Sequence, residues 1–164
     1  MCIRDRVVAI ENRGEAKAYP IRYLVHHHQI RDTLAGKPVM VTYCSVCRTG
    51  RVFLPFVDGK PEQFRLVGMD HFNAMFEDSE TGSWWQQATG EAITGELKGT
   101  KLDEIESIQL TAGAFFKAYP HGLIMAPDPN FLSKYDSLGE FEKGKSESKL
   151  TGTCLLYTSD AADE

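Results

Sequence analysis

Two cysteines separated by two residues, Cys44 and Cys47 in Thr42-Tyr-Cys-Ser-Val-Cys-Arg-Thr-Gly50, carry the clearest chemical content in the chain. A two-residue spacer lets both sulfurs face one centre. Their polarizable lone pairs suit a soft or borderline ion such as Cu(I) or Zn(II), and the same spacing permits a reversible local disulfide. A third reading is a structural disulfide or a pair of inert buried thiols. Arg48 follows directly, and a guanidinium beside a sulfur would favour the thiolate. A thioredoxin-like site places its first thiol at the opening of a long helix. Here Arg48-Thr-Gly50 runs straight into the β-rich Arg51-Val-Phe-Leu54, which leaves no room for that helix.

Histidines supply the donors that a dithiol lacks. His26-His27-His28 lies upstream, and His71 and His121 lie downstream. Adjacent residues on a helix diverge by about 100°, so the triplet cannot turn three rings to one ion. One or two of His26, His27 and His28 could join Cys44 and Cys47 as further ligands, and His71 is another candidate. Each is otherwise an ordinary core or turn histidine. Copper is the preferred metal because two thiolates and an imidazole form a soft set, and zinc is close behind. Met69 and Met75 carry thioethers but read as core residues. Asp70, Glu77, Asp78 and Glu80 surround Trp84 and Trp85, which could make a polar pocket roofed by indoles. Alternation instead sends one tryptophan to the core and the other to solvent or a pocket, so packing is the leading account.

Other chemistries find little support. There is no G-x-G-x-x-G, G-x4-G-K-[ST], H-E-x-x-H or G-x-S-x-G motif, so no nucleotide cofactor is expected. The net charge of −5 over 164 residues gives no electrostatic reason to expect nucleic acid. No run of eighteen apolar residues is present, which argues against a membrane-spanning helix. With 42% hydrophobic residues, a chain of this length can bury one substantial core.

The elements that must position the cysteines are mostly strands. Val7–Ile10, the turn Asn12-Arg-Gly14 and Ala16–Tyr19 read as a hairpin. Pro20 suits a helix start, and Ile21, Leu24, Val25 and His28 share a face, so a helix is expected over Ile21–Ile30. Pro38–Tyr43 reads as a strand leading into Cys44. Arg51–Val57 reads as another, with Gln63–Val67 as its partner across Asp58-Gly-Lys-Pro61. Further strands are expected within Asn73–Phe76, near Trp84–Gln86, at Ala92-Ile93 and at Ser107–Leu110. Thr111 can cap a helix over Ala112–Tyr119 that Pro120 ends. Ala126–Thr153 reads as extended or loop-like, with Phe131, Leu132 and Tyr135 as isolated anchors. These elements predict a compact α+β domain, predominantly antiparallel, with short helices.

Met1–Arg6 and Cys154–Glu164 resemble translated sequencing-adapter sequence. Residues 7–153 are therefore expected to form the single domain, and the two ends to make few contacts with it. Setting Cys2 and Cys154 aside leaves Cys44 and Cys47 as one local pair rather than a secreted disulfide framework.

Several ordered segments resemble the DUF3179 family of bacterial and archaeal proteins. They are Ala18-Tyr-Pro20, His27-His-Gln-Ile-Arg-Asp32, Gly36-Lys-Pro-Val39, Val41-Thr-Tyr-Cys44 through Cys47, Glu80-Thr-Gly-Ser-x-Trp85 and Thr89-Gly-Glu-Ala-Ile-Thr-Gly95. Many relatives carry C-x-x-C-G-T, so Arg48 stands where a glycine is expected. The resemblance implies a site at Cys44 and Cys47, with His27 as the best match to the recurrent histidine after Ala-Tyr-Pro. It implies a metal-binding or redox-associated role with a soft metal ion or a redox partner, and a location in the cell envelope or outside the cell.

Overall fold

The computed structural model describes residues 3–142. Strand β1 (Arg6–Asn12) and β2 (Glu15–Pro20) form the expected hairpin, and helix α1 (Ile21–His27) follows. Strands β3 (Gln29–Leu34), β4 (Lys37–Cys44) and β5 (Thr49–Phe53) then form successive antiparallel neighbours. A two-stranded ribbon, β6 (Phe56–Val57) and β7 (Lys60–Pro61), leads to β8 (Phe64–Asp70), β9 (Asn73–Asp78), β10 (Trp84–Gln86) and β11 (Ala92–Thr94). After β12 (Glu104–Ile105) and β13 (Ser107–Thr111) come helix α2 (Ala112–Ala118) and β14 (Leu123–Ile124). A 3-10 turn (Pro129–Phe131) and helices α3 (Leu132–Ser137) and α4 (Gly139–Glu142) complete the described chain. Three four-stranded sheets result, in the orders β13-β1-β2-β14, β12-β5-β4-β3 and β11-β10-β9-β8. Among the described residues only the β14–β2 pairing is parallel. This is the α+β, largely antiparallel domain that the sequence predicts. Among the described residues no helix is long and apolar enough to cross a membrane.

The alternation of side chains along β4 explains how the sheets stack. Residues 39 to 44 are all buried, so this strand has no solvent face. Val39, Val41 and Tyr43 join Val8, Ile10, Tyr19, Leu24 and Val52 in one core cluster. Met40 turns the other way and joins Phe53, Phe64, Phe76 and Trp85 in a second. Period two therefore puts Thr42 and Cys44 on the Met40 side, towards β8 and β9. Strand β1 divides likewise: Val8 and Ile10 face the first cluster, while Val7 and Ala9 pack with Ala112 and Phe115 of α2 in a third. The cysteine strand is thus the middle of a layered stack, held from both sides.

Four sequence expectations change. Helix α1 stops at His27 rather than Ile30, because His28 adopts φ 62° and Gln29 onward pairs with β4, so strand pairing overrides the helical spacing. The strand expected over Arg51–Val57 ends at Phe53. Leu54 N–H turns to Asp103 O at 2.8 Å, and Pro55 has no N–H to extend a ladder. Its partners are β4 and β12, whereas Phe64–Asp70 pairs with β9 in a different sheet. Within Ala126–Thr153, residues 129 to 142 are helical rather than extended. The buried Tyr135 ring packs 4.2 Å from that of Tyr23, which gives this polar stretch an anchor on the core; residues 143–153 lie outside the described residues.

Residues at the start of the chain also take part in the fold. Asp5 is buried and pairs with Arg22 at 2.8 Å, and Asp5 O and Ile3 O accept from Ala112 N–H and Gly113 N–H. Arg6 is in register with Thr111. The expectation of few contacts therefore does not hold for Ile3, Asp5 and Arg6. Cys154–Glu164 lies outside the described residues.

Candidate functional site

Cys44 ends β4 opposite Thr49, so Ser45–Arg48 is the loop of the β4–β5 hairpin and Cys47 sits within it. Gln87 braces this hairpin from the core: its Nε2 donates to Thr42 Oγ1 at 3.0 Å and to Thr49 O at 3.1 Å. Thr49 Oγ1 donates to Cys47 O at 3.0 Å. Cys44 is buried, Cys47 is half-buried, and both are free thiols. Their sulfurs lie 2.7 Å apart, and Cys47 N–H donates to Cys44 Sγ at 3.2 Å.

The tip of the β8–β9 hairpin covers the pair. Phe72 O accepts from Cys47 Sγ at 2.8 Å and from Cys44 Sγ at 3.4 Å, and Asn73 Oδ1 lies 3.6 Å from Cys47 Sγ. Both acceptors favour thiol over thiolate. Burial foremost, then the hydrogen bond to Cys44 and the proximity of negative charge there, push the Cys47 thiol up to about 12. The turn that delivers Phe72 O has φ 43° at His71 and 69° at Phe72, left-handed conformations for two bulky residues. Nothing in Asp70-His-Phe-Asn73 signals that a backbone carbonyl would be aimed at the thiols. Phe72 and Asn73 are the site residues that sequence reasoning misses.

The histidines are placed differently from expectation. His27 Nε2 lies 2.7 Å from Tyr135 Oη, and its ring packs against Phe131 and Tyr135, because the last turn of α1 lies on α3. Burial, then the neighbouring His26, lowers its pKa. His71 Nδ1 is 2.7 Å from Asp70 Oδ1 on a side chain that is 91% exposed, so its imidazole stands in solvent although its neighbour's carbonyl meets the thiols. His28 is the histidine nearest in kind to the expectation. It lines a cleft of about 120 Å³ together with Tyr43, Cys44, Val46, Leu66 and Met69, and burial lowers its pKa. Among the described residues no three or more His, Cys, Asp or Glu side chains are grouped so that they could hold a metal ion.

Arg48 does not lower the pKa of the Cys47 thiol, as the sequence suggested it could. Its guanidinium carbon sits 4.8 Å from the centre of the Phe141 ring, and the Cys47 thiol is shifted up rather than down. Met75 is core, as expected, whereas Met69 is 55% exposed at the cleft. Trp85 is buried and Trp84 is exposed, as alternation requires. The acidic residues beside them serve structure. Asp78 accepts from Trp85 Nε1 at 2.8 Å, Thr81 N–H at 2.6 Å and Ser83 N–H at 3.1 Å, while Glu77 pairs with Arg65 and accepts from Trp84 Nε1.

An antiparallel stack places a C-x2-C hairpin, with one buried and one half-buried thiol, beneath the carbonyl of a neighbouring hairpin. The chain belongs to the DUF3179 family, described as a protein of unknown function, which matches residues 2–154. No curated protein and no solved structure matches it. Several segments that carry the resemblance now have a physical role. Tyr19 Oη donates to Asp32 Oδ2 at 2.8 Å, tying Ala-Tyr-Pro to the end of the His-Gln-Ile-Arg-Asp segment. Glu80-Thr-Gly-Ser wraps around Asp78 to seat Trp85. Position 48 has φ 53°, a left-handed conformation that favours glycine over the arginine found here.

Proposed function

We propose that Cys44 and Cys47 form a reversible dithiol–disulfide pair and that its redox chemistry is the role of this domain. The supporting observation is the 2.7 Å separation of two free sulfurs. A disulfide bond of about 2.05 Å needs only a small further approach. A tetrahedral ion with metal–sulfur bonds of about 2.3 Å holds its sulfurs about 3.7 Å apart, so the pair would have to spread. With the Cys47 thiol pushed up to about 12, little of Cys47 is thiolate at neutral pH, so Cys47 itself reacts slowly with bulk oxidants. That suits a pair that exchanges with a docked partner. An oxidising compartment such as the cell envelope, which the family resemblance suggests, would keep the disulfide form available.

A second reading is soft-metal binding, with copper ahead of zinc. It rests on the two adjacent sulfurs, since a thiolate pair suits Cu(I) or Zn(II), whereas Phe72 O and Asn73 Oδ1 beside them are hard donors that add little for a soft ion. The two readings separate in one experiment. The anaerobically reduced protein is titrated for thiols, equilibrated with a dithiothreitol redox couple and, in parallel, reconstituted with Cu(I) or Zn(II). The dithiol reading expects a two-electron transition between Cys44 and Cys47, with loss of two titratable thiols and 2 Da, abolished in Cys44→Ser and in Cys47→Ser. One tightly held ion per chain with no such transition would replace it by the metal reading. Thiols that neither oxidise reversibly nor bind metal would leave a structural pair.

A further inference from the structure

We propose that the redox partner of this pair is a disulfide within an extended polypeptide segment with apolar flanks, received in the cleft beside Cys44 and along the open edge of β8. This rests on the dithiol reading. Four observations lead to it. Cys44, rather than Cys47, is among the residues that line the cleft, and it is 2% exposed, so an occupant seated there abuts this residue. The other lining residues include Tyr43, Val46, Leu66 and Met69, and among the described lining residues there is no lysine or arginine to offer an anionic low-molecular-weight disulfide a counter-charge. Its volume of about 120 Å³ admits one apolar side chain rather than a folded surface. Finally, β8 is the terminal strand of its sheet, and it contributes Leu66, Gly68 and Met69 to the cleft wall. A terminal strand presents backbone groups that an extended peptide can pair with, placing alternate side chains in pockets. Val46 (41%), Leu66 (37%), Met69 (55%) and Phe72 (60%) are exposed for large apolar residues, and all four belong to the two hairpins that form the site.

The exchange balances without a further reagent. Cys44 loses its proton to solvent and its thiolate attacks one sulfur of the partner cystine. A Cys44–partner disulfide forms, the partner's own S–S bond breaks, and the departing thiolate takes up a proton. Cys47 then loses its proton and attacks Cys44 Sγ, 2.7 Å away in the reduced pair. The Cys44–Cys47 bond forms, and the second partner thiolate leaves and is protonated. Two electrons and two protons pass from the pair to the partner cystine, and the reverse sequence oxidises a partner dithiol.

The test compares three disulfides as oxidants of the reduced full chain under anaerobic stopped flow: the dimer of acetyl-Val-Cys-Leu-amide, glutathione disulfide and 2-hydroxyethyl disulfide. The peptide should react at least about tenfold faster than either of the others, the discrimination that an apolar pocket typically achieves. Met69→Lys and Leu66→Lys replace exposed side chains at the cleft wall. Each should slow the peptide about tenfold and speed glutathione disulfide, and the Cys44/Cys47 midpoint potential of each variant, measured beside the rates, separates altered recognition from altered sulfur chemistry. Equal rates for the peptide and glutathione disulfide, or lysine variants that leave the preference unaltered, would overturn the apolar specificity. A rate for 2-hydroxyethyl disulfide equal to that of the peptide would overturn recognition of an extended chain. A normal two-electron transition with no peptide preference defeats only the partner assignment, whereas failure of the pair to oxidise with any reagent defeats the dithiol reading and this inference together.

Discussion

Gly90→Ala tests whether the stack that holds β4 is packed as tightly as its geometry indicates. Gly90 has φ +69°, and a Cβ built there would lie 2.6 Å from Phe53 Cε1 and 3.1 Å from Phe53 Cδ1. Phe53 is itself buried among Met40, Phe64, Phe76 and Trp85, so its ring has little room to retreat. The Gly90 backbone is equally constrained: its N–H donates to Gln86 O at 2.8 Å, and its carbonyl accepts from Leu102 N–H at 2.9 Å. A left-handed alanine costs about 1–2 kcal/mol, and overpacking a core site typically costs about 1–3 kcal/mol more. The smaller entropy of the unfolded alanine chain returns about 0.4–1 kcal/mol. The expected net loss is about 2–4 kcal/mol, which lowers the melting temperature by roughly 5–15 °C for a domain of this size. Gly99→Ala is the control, because Gly99 has φ +89° but nothing within 4 Å of its built Cβ, so only the backbone cost of about 1 kcal/mol applies. Urea unfolding followed by tryptophan fluorescence measures both, and Phe53→Leu should recover part of the Gly90→Ala loss in a double-mutant cycle. If Gly90→Ala costs no more than Gly99→Ala, or Phe53→Leu returns nothing, the steric reasoning is wrong.

Tyr19→Phe removes the hydroxyl that donates to Asp32 Oδ2. It should cost about 1–3 kcal/mol and raise the Asp32 pKa, which that bond helps to lower, as read by carboxyl NMR titration. Asp78→Ala strands the Trp85 indole N–H and the Thr81 and Ser83 amides; a loss of about 3 kcal/mol and an altered tryptophan emission are expected, and an unchanged urea midpoint would refute the role assigned to this turn. The lowered pKa values of His27 and His28 mean that the unfolded chain binds more protons below about pH 6.5; their contribution is full above that value and lost as pH falls through the folded values, so His27→Gln should flatten the acid limb of stability. Cys47 and Tyr19 are shifted up, so the folded state holds protons that the unfolded chain releases above about pH 8.5 and 10 respectively. Stability should therefore fall on the alkaline side, and Cys47→Ser should remove the part that begins near pH 8.5.

The sequence by itself determined the local features that depend on neighbours in the chain. Asn12-Arg-Gly14 made the first hairpin, Pro20 opened α1, and Thr111 capped α2 by accepting from Ala114 N–H. The apolar, β-branched run from Pro38 to Tyr43 marked the strand that ends in Cys44, and the C-x2-C spacing marked the chemical centre. Tertiary structure decided what those cysteines face, because the partner is a backbone carbonyl twenty-five residues after Cys47, delivered by a turn whose left-handed His71 and Phe72 no propensity would select. It also decided where His27 went. The family resemblance made it the ligand candidate, but at the end of α1 its ring meets Tyr135, in a segment whose polar composition had suggested a loop. Spacing along the chain fixes which atoms are near in sequence. Which acceptor meets the Cys47 thiol, and how far burial raises its pKa, depend on the packing of separate sheets, where energies are set by neighbours that the local pattern does not contain.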